Sequence, residues 1–518
     1  DAEPVARLLD DAPLITSEGR SFEVETHYLV TPIGKDVRLE HAVADQVLAA
    51  LAAYPGDGLV FLPGEGEIRR TAAALEHRLP GDVTLHSLFG AMPIAAQRAA
   101  IAPARDGRKL VLATAIAETS LTIEGVRIVV DAGRARRARF DPSSGMTRLV
   151  TEPVSRAEAD QRRGRAGRVA PGVCYRMWTR GGEGALPAFP PPEIASADLT
   201  RLALELALWG GAEGLAFLTP PPDAALEQAR ALLCDLGALD DKGLITGHGR
   251  DLARMPLHPR LAHMLSRCDA GAAPLAALLS DRDPLRGAGA DLGLRLRAIA
   301  GEAPGDAHRP ALARIRQEVK RLKPFARGPA RSLGAQAALA YPDRVALRRP
   351  GDAPRYVLSG GKGAFLDEGD ALSGQRLLVV TDLDGDRREA RIRQATPIAE
   401  AELRALYADR ITWVDSCAWS RRTRRVEARR QEMFGALVLD DRVWRDAPSE
   451  AVIAALLDGL RDLGLGALDW SKPARLLRAR IAASGARDVS DAALTDAMED
   501  WLAPYLSGLR SADDLGRF

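Results

Sequence analysis

A chain of 518 residues, 46% apolar and 27% charged with a formal net charge of +1, exceeds one core and should divide into roughly three to five domains. It has no apolar run of about 18 residues, which argues against a helical membrane span, and no basic-then-apolar leader of the kind that marks secretion. Cys174, Cys234, Cys268 and Cys417 lack metal-ligand spacing. They read as reduced, mostly buried thiols of a cytoplasmic, monomeric protein without a metal site.

In chain order, Asp1 to Arg20 reads as an amphipathic helix and a short apolar strand, the tail of something upstream. From Phe22 strands alternate with helices. Apolar runs at Gly58–Leu62, Val83–Leu85, Lys109–Ala113 and Val126–Val130 predict strands, and Glu67–Arg78 and Ile94–Ile101 predict helices. This alternation implies a parallel sheet covered on both faces. Arg136 to Val150, turning at Asp141-Pro-Ser-Ser-Gly145, predicts a β-hairpin. A Gly/Pro-rich linker at Gly181–Pro192 closes this domain. Helical spacing at Leu199–Trp209 and Ala224–Leu236, then a small wing ending at Thr246, gives the winged-helix order. Arg250 to Leu322 reads as helical, Tyr341 to Pro397 as a small barrel, and Val452–Leu463 and Leu494–Leu506 as amphipathic helices.

The sharpest chemical signal is Gln161-Arg-Arg-Gly-Arg-Ala-Gly-Arg168. Guanidinium forks bind phosphate oxygens bidentately and can neutralise charge developing on a transferred phosphoryl group. A solvated basic turn is the bland alternative. Ala113-Thr-Ala-Ile-Ala-Glu-Thr-Ser-Leu-Thr-Ile123 follows an apolar strand and places hydroxyls where backbone N–H groups can hold phosphates, or merely cap a helix.

Together these segments resemble motifs V and VI of the DEAH/RHA group of superfamily 2 helicases, and Leu59-Val-Phe-Leu-Pro-Gly-Glu-Gly-Glu-Ile68 resembles motif IV. Met255-Pro-Leu-His-Pro-Arg-Leu261 is similar to the winged-helix and ratchet region of that group, and Leu358-Ser-Gly-Gly-Lys-Gly363 and Arg429-Arg-Gln-Glu-Met-Phe-Gly435 look like its bacterial HrpB-type branch. The resemblance implies that Gln161 contacts the γ-phosphate or attacking water and that Arg165 and Arg168 are arginine fingers. Ser120, Thr122 and Glu124 fall at nucleotide-contact positions, although many members carry Asp where Glu124 stands. Arg162 is a further nucleotide candidate, with an internal pair to Glu118 or Glu158 as the alternative. Ser87 and Thr114 would hold nucleic-acid phosphates. Arg136, Arg137, Arg139 and Arg148 would arm a strand-handling hairpin, against a charge-protected edge as the alternative. Ile101 stands where many relatives stack an aromatic on adenine, or else faces the core.

The implied architecture is multidomain α/β and α+β. It comprises a remnant and linker (1–21), a RecA-like parallel-sheet domain (22–180), a winged helix (181–250), a helical ratchet bundle (251–330), an OB-like β-barrel (331–440) and a mixed C-terminal region (441–518). Expected partners are single-stranded RNA or DNA and a first RecA-like domain, with no membrane. ATP with Mg²⁺ is the implied cofactor of the complete protein, with none held tightly by these residues. No Gly-x4-Gly-Lys-Ser/Thr string and no Asp-Glu-Ala-His box occurs, and Ser359 to Gly363 reads as a β-turn. We therefore expect that this stretch alone neither hydrolyses ATP nor unwinds. His258 and Arg260 read as a packed helix start, and the arginines between Arg421 and Arg430 as either a strand-tracking surface or a solvated face. A non-hydrolysing nucleic-acid scaffold with a RecA-like fold is the rival reading.

Overall fold

The computed structural model describes residues 2–16, 21–104, 106–118, 123–141, 146–285, 287–302, 307–386 and 388–515. They form two compact units, Asp1–Arg254 and Met255–Phe518. Among the described residues no helix is long and apolar enough to cross a membrane.

The first unit is organised by a six-stranded sheet. Its strands are β1 (Val24–Leu29), β2 (Asp57–Phe61), β3 (Val83–Leu88), β4 (Arg108–Ala113), β5 (Val126–Asp131) and, after a hairpin, β8 (Gly172–Thr179). The order is β1-β8-β5-β2-β4-β3, and every pairing is parallel. The central strand β2 is buried at all five positions, whereas the edge strands β1 and β3 are mostly half-buried. Burial on both faces explains why β2, β4 and β5 read as unbroken apolar runs. Alternate side chains serve opposite faces. Val60 and Leu62 pack with Val43 and Val47 of the helix Leu39–Ala53 and Ile68 of the helix Glu65–Leu75. Leu59 and Phe61 pack with Ala100 and Ala166 on the other side.

The hairpin pairs β6 (Arg134–Asp141) with β7 (Met146–Pro153), and its tip, 142–145, lies outside the described residues. Its base is pinned by Ala135, Val154 and Ala159, with Trp178 and Leu186 against them. Helices Thr200–Trp209 and Asp223–Asp235 follow, then a minimal wing. In the wing Leu239 bridges Ile245 and Gly243 takes a φ of +76°, a conformation that suits glycine. Near the N-terminus Glu3–Leu8 is helical with no buried residue, but residues 12–16 form no strand, so only half of that expectation holds.

The second unit opens with helices Pro259–Ser266, Ala273–Leu279, Leu292–Ala300, Arg309–Leu322 and Leu333–Ala340. The barrel is closed by β9 (Val345–Arg348), β10 (Arg355–Leu358), β11 (Gly363–Phe365), β12 (Leu377–Leu383) and β13 (Ala390–Pro397), ordered β10-β11-β13-β12-β9. Its β11–β13 pairing is parallel and the others are antiparallel. The barrel is thus complete by residue 397. Strands β14 (Ile411–Ser420), β15 (Arg425–Phe434) and β16 (Leu437–Val443) make a separate antiparallel sheet. The boundary drawn at residue 440 therefore cuts through β16. This sheet contributes Val426, Cys417 and Trp419 to the core built on the helix Ser449–Leu463, which ties it to the C-terminal region. The second amphipathic helix expected there is broken into Asp491–Asp496, Met498–Trp501 and a 3-10 turn, Ala503–Tyr505.

Candidate functional site

The chain leaves β4 at Thr114, whose N–H still donates to the Leu88 carbonyl at 3.2 Å. Ser87 and Thr114 thus sit at the carboxyl ends of the neighbouring strands β3 and β4, the edge at which open parallel sheets take ligands. A 3-10 turn, Ala115–Ala117, leads to the buried Glu118. Ser120 and Thr122 lie outside the described residues, and Glu124 is exposed just ahead of β5.

The arginine-rich segment is built with equal economy. Its helix, Arg156–Gly164, starts from a reciprocal cap. The Glu158 N–H donates to the Ser155 hydroxyl at 3.2 Å, and the Ser155 N–H donates to the Glu158 carboxylate at 2.7 Å. After Gly164 the turn Arg165–Gly167 lies against β1, where Phe22 donates its N–H to the Gly167 carbonyl at 2.9 Å. A Cβ at Gly167 would sit 2.6 Å from the Phe22 carbonyl oxygen, so the close approach requires glycine.

The four residues of this segment separate into two kinds. Arg162 is 1% exposed. Its Nε reaches Glu118 at 3.0 Å, its Nη1 reaches Asp131 at 2.9 Å, and its guanidinium lies 5.1 Å from the centre of the Phe61 ring. Burial opposes its charge, yet the two carboxylates prevail and raise its pKa. Burial also pushes the Glu118 carboxyl up despite Arg162. The nucleotide-contact expectation for Arg162 is corrected accordingly: both edges of its guanidinium are used inside the domain, and its partners are Glu118 and Asp131. Glu158, the other partner weighed for it, pairs with Arg137.

Arg165 is 6% exposed and donates to the Glu118 backbone carbonyl. Burial, and next the charge of Arg168, lower its pKa, with Glu118 acting in the opposite sense. Arginine starts so high that it remains a cation. Gln161 and Arg168 are exposed. The positioning role of Asp131 was missed in the sequence. The signal available was a carboxylate closing a mostly apolar strand, at zero exposure in the fold.

The hairpin arginines also divide. Arg137 pairs with Glu152 at 2.9 Å and with Glu158, Arg139 pairs with Glu152 at 2.6 Å, and Arg136 reaches Glu67 at 3.3 Å. Arg148 lies directly across the ladder from Arg139, a like-charge pairing that costs stability. Ile101 packs half-buried on the core beside Ala100, so it is a core residue. His258 caps its helix by accepting the Arg260 N–H at 3.2 Å, and Arg260 pairs with Asp343. The Ser359 hydroxyl donates to the Pro342 carbonyl at 2.6 Å within the β10–β11 turn. In the arginine cluster of β14 and β15, Arg421 pairs with Asp462 and Arg430 with Asp415. Part of the cluster is thus offset by acids.

Comparison with known proteins places these features. The model of the helicase conserved C-terminal domain matches residues 42–170, from the first long helix through the arginine turn. The chain is 36% identical over 99% of its length to the ATP-dependent RNA helicase HrpB of Escherichia coli, covering 64% of that protein. A crystal structure of E. coli DExH-box NTPase HrpB superposes with a TM-score of 0.77 at 36% identity, over 100% of this chain and 65% of that one. Over nearly its whole length the chain is similar to a helicase of the DEAH/RHA group. A further relative, the pre-mRNA-splicing factor ATP-dependent RNA helicase prp22 of Schizosaccharomyces pombe, is 39% identical over 51% of this chain and 23% of its own length. The chain therefore spans about two thirds of the HrpB length and a smaller share of the splicing helicase.

Proposed function

We infer that these residues are the finger-bearing and strand-tracking portion of an ATP-dependent DEAH-type RNA or DNA helicase. The observation that carries this reading is the contrast within one turn. Arg162 is spent on Glu118 and Asp131, whereas Arg165 keeps its charge against burial and a like-charged neighbour. A cation in that setting gains most from an arriving polyanion.

A nucleoside triphosphate fits this donor set, with Gln161, Arg165 and Arg168 as the residues facing it. Bound ATP with Mg²⁺ supplies the phosphoryl group to be transferred. This chain's part is to hold two guanidinium groups where negative charge grows and to orient water through the Gln161 amide. Arg162 and Glu118 act as positioning residues for that turn. Thr114 and Ser87 would grip strand phosphates at the sheet edge, and Arg136 and Arg148 would line the hairpin. The P-loop and the metal-binding carboxylate would come from a first RecA-like domain. Translocation would run from 3′ to 5′.

Two measurements test this. ATP turnover by the 518 residues alone should stay at background, and steady hydrolysis abolished by Arg165→Ala would refute the division of labour. In a protein that includes a P-loop domain, Arg165→Ala or Arg168→Ala should cut nucleic-acid-stimulated turnover by about 10³-fold or more. Retention of turnover would favour the non-hydrolysing scaffold.

A further inference from the structure

The stretch Lys472 to Arg487 holds Lys472, Arg475, Arg478, Arg480 and Arg487 and no carboxylate. Lys472–Ser484 is a helix with no buried residue, and Leu476 and Leu477 are each 59% exposed. Arg475 and Arg478 on this helix, with Arg487 and Val489 after it and Trp470 before it, line an open cavity of about 800 Å³. The Arg478 guanidinium lies 5.3 Å from the centre of the Trp470 ring, donates to the Val489 carbonyl at 2.7 Å and pairs with Asp491. Among the described residues it is the one cation of the five with a carboxylate partner. Asp488, the acid in the lining, accepts the Ser490 N–H at 2.8 Å.

Trp470 also borders a smaller, mainly apolar cavity of about 210 Å³ with Leu468, Trp501 and Leu502. The two indoles are half-buried, with ring centroids 5.9 Å apart. The Trp470 Nε1–H is satisfied by the Leu465 carbonyl at 2.9 Å, which leaves its ring faces as the interacting surface. A merely solvating basic helix needs neither cavity nor indoles, and an acidic peptide needs only the charge. Guanidinium groups beside half-buried indoles and an apolar slot match phosphates alternating with unstacked bases.

We propose that this C-terminal cavity binds a single-stranded nucleic acid, with phosphates on Arg475 and Arg487 and a base against Trp470 and Trp501. The site shares no residue with the motor, so either reading can fail alone. The test uses the whole chain and labelled oligouridine and oligothymidine of about twelve nucleotides, with binding read by anisotropy across a salt series. Because Arg475 and Arg487 are exposed, Arg475→Gln/Arg487→Gln should leave melting unchanged and make the log–log salt slope shallower by about 1.4, at roughly 0.7 per phosphate. Trp470→Ala should weaken binding about tenfold or more, with Trp470→Phe restoring most of it. Photo-crosslinks from a halogenated base should fall on Trp470 or Trp501. Equal losses for both oligomers assign the site to phosphate and base chemistry common to RNA and DNA, and a loss confined to oligouridine makes RNA the ligand. An unchanged slope with crosslinks confined to residues 1–254 overturns the proposal. So does occupancy by an acidic peptide without any oligonucleotide crosslink.

Discussion

The Arg162 Nε donates to the Glu118 carboxylate at 3.0 Å, joining the turn after β4 to the helix that leads into the arginine-rich turn. The two stand 44 positions apart in the chain. Removing one member of a buried ion pair strands the other, so Arg162→Ala should cost about 3–5 kcal/mol. The loss should appear as earlier hydrogen exchange in β5 and in the helix Arg156–Gly164. Glu118→Gln should cost less, because an amide oxygen still accepts from Arg162. Unaltered exchange in the alanine variant would contradict the strut role.

Gly167→Ala probes the seat of the same turn. The added methyl would meet the Phe22 carbonyl oxygen at 2.6 Å and the Val24 Cγ2 at 2.7 Å. Backbone has to move, and a cost of about 1–3 kcal/mol is expected. Chemical denaturation reads the cost, and a neutral effect would show that the turn is not pressed on β1.

The cap at Ser155 predicts an acid response. Burial pushes the Glu158 carboxyl up, but the backbone and hydroxyl of Ser155 and the charge of Arg137 together hold it below the ordinary glutamate value. A depressed folded-state value means that this stabilisation is complete above the unfolded pKa of about 4.3 and fades as pH falls through the folded value. Melting temperature followed from pH 6 down to about pH 3 should fall less steeply for Glu158→Gln than for the parent. Parallel curves would rule the contribution out.

The hairpin arginines should behave unequally. Arg137→Gln removes a residue held between Glu152 and Glu158 and should loosen the hairpin base. Arg148→Gln should relieve the like-charge pairing with Arg139, and should weaken single-strand binding with a salt slope shallower by about 0.7. Circular dichroism melts and binding isotherms on both variants separate these outcomes, and identical behaviour would remove the distinction.

What was legible followed from how local the chemistry is. The arginine string, the hydroxyl-rich turn and the unbroken apolar strands each announce themselves within about ten residues, and the sheet, hairpin and closed barrel followed from them. Asp131 as a partner of Arg162 was not legible, because the two stand 31 positions apart and only the fold brings them together. The edge strand β1 and its neighbour β8 escaped individual notice because half-buried positions dilute the apolar run in β1 and arginine and tryptophan interrupt it in β8. The separate sheet β14–β16 was folded into the barrel domain because strand signals do not say which neighbour they pair with. The helix Lys472–Ser484 buries no residue and so lacks the apolar stripe that reveals a packed helix.

Only three residues lie between Thr114, at the sheet edge, and Glu118, which is bonded to both Arg162 and Arg165. So short a tether cannot let one end shift while the other stays. If a strand is gripped at one end and a nucleotide at the other, thermodynamic reciprocity applies: each must alter the dissociation constant of the other by the same factor. Glu118→Ala, which removes the carboxylate held by Arg162 and keeps the carbonyl used by Arg165, would then weaken that coupling even where each binding survives.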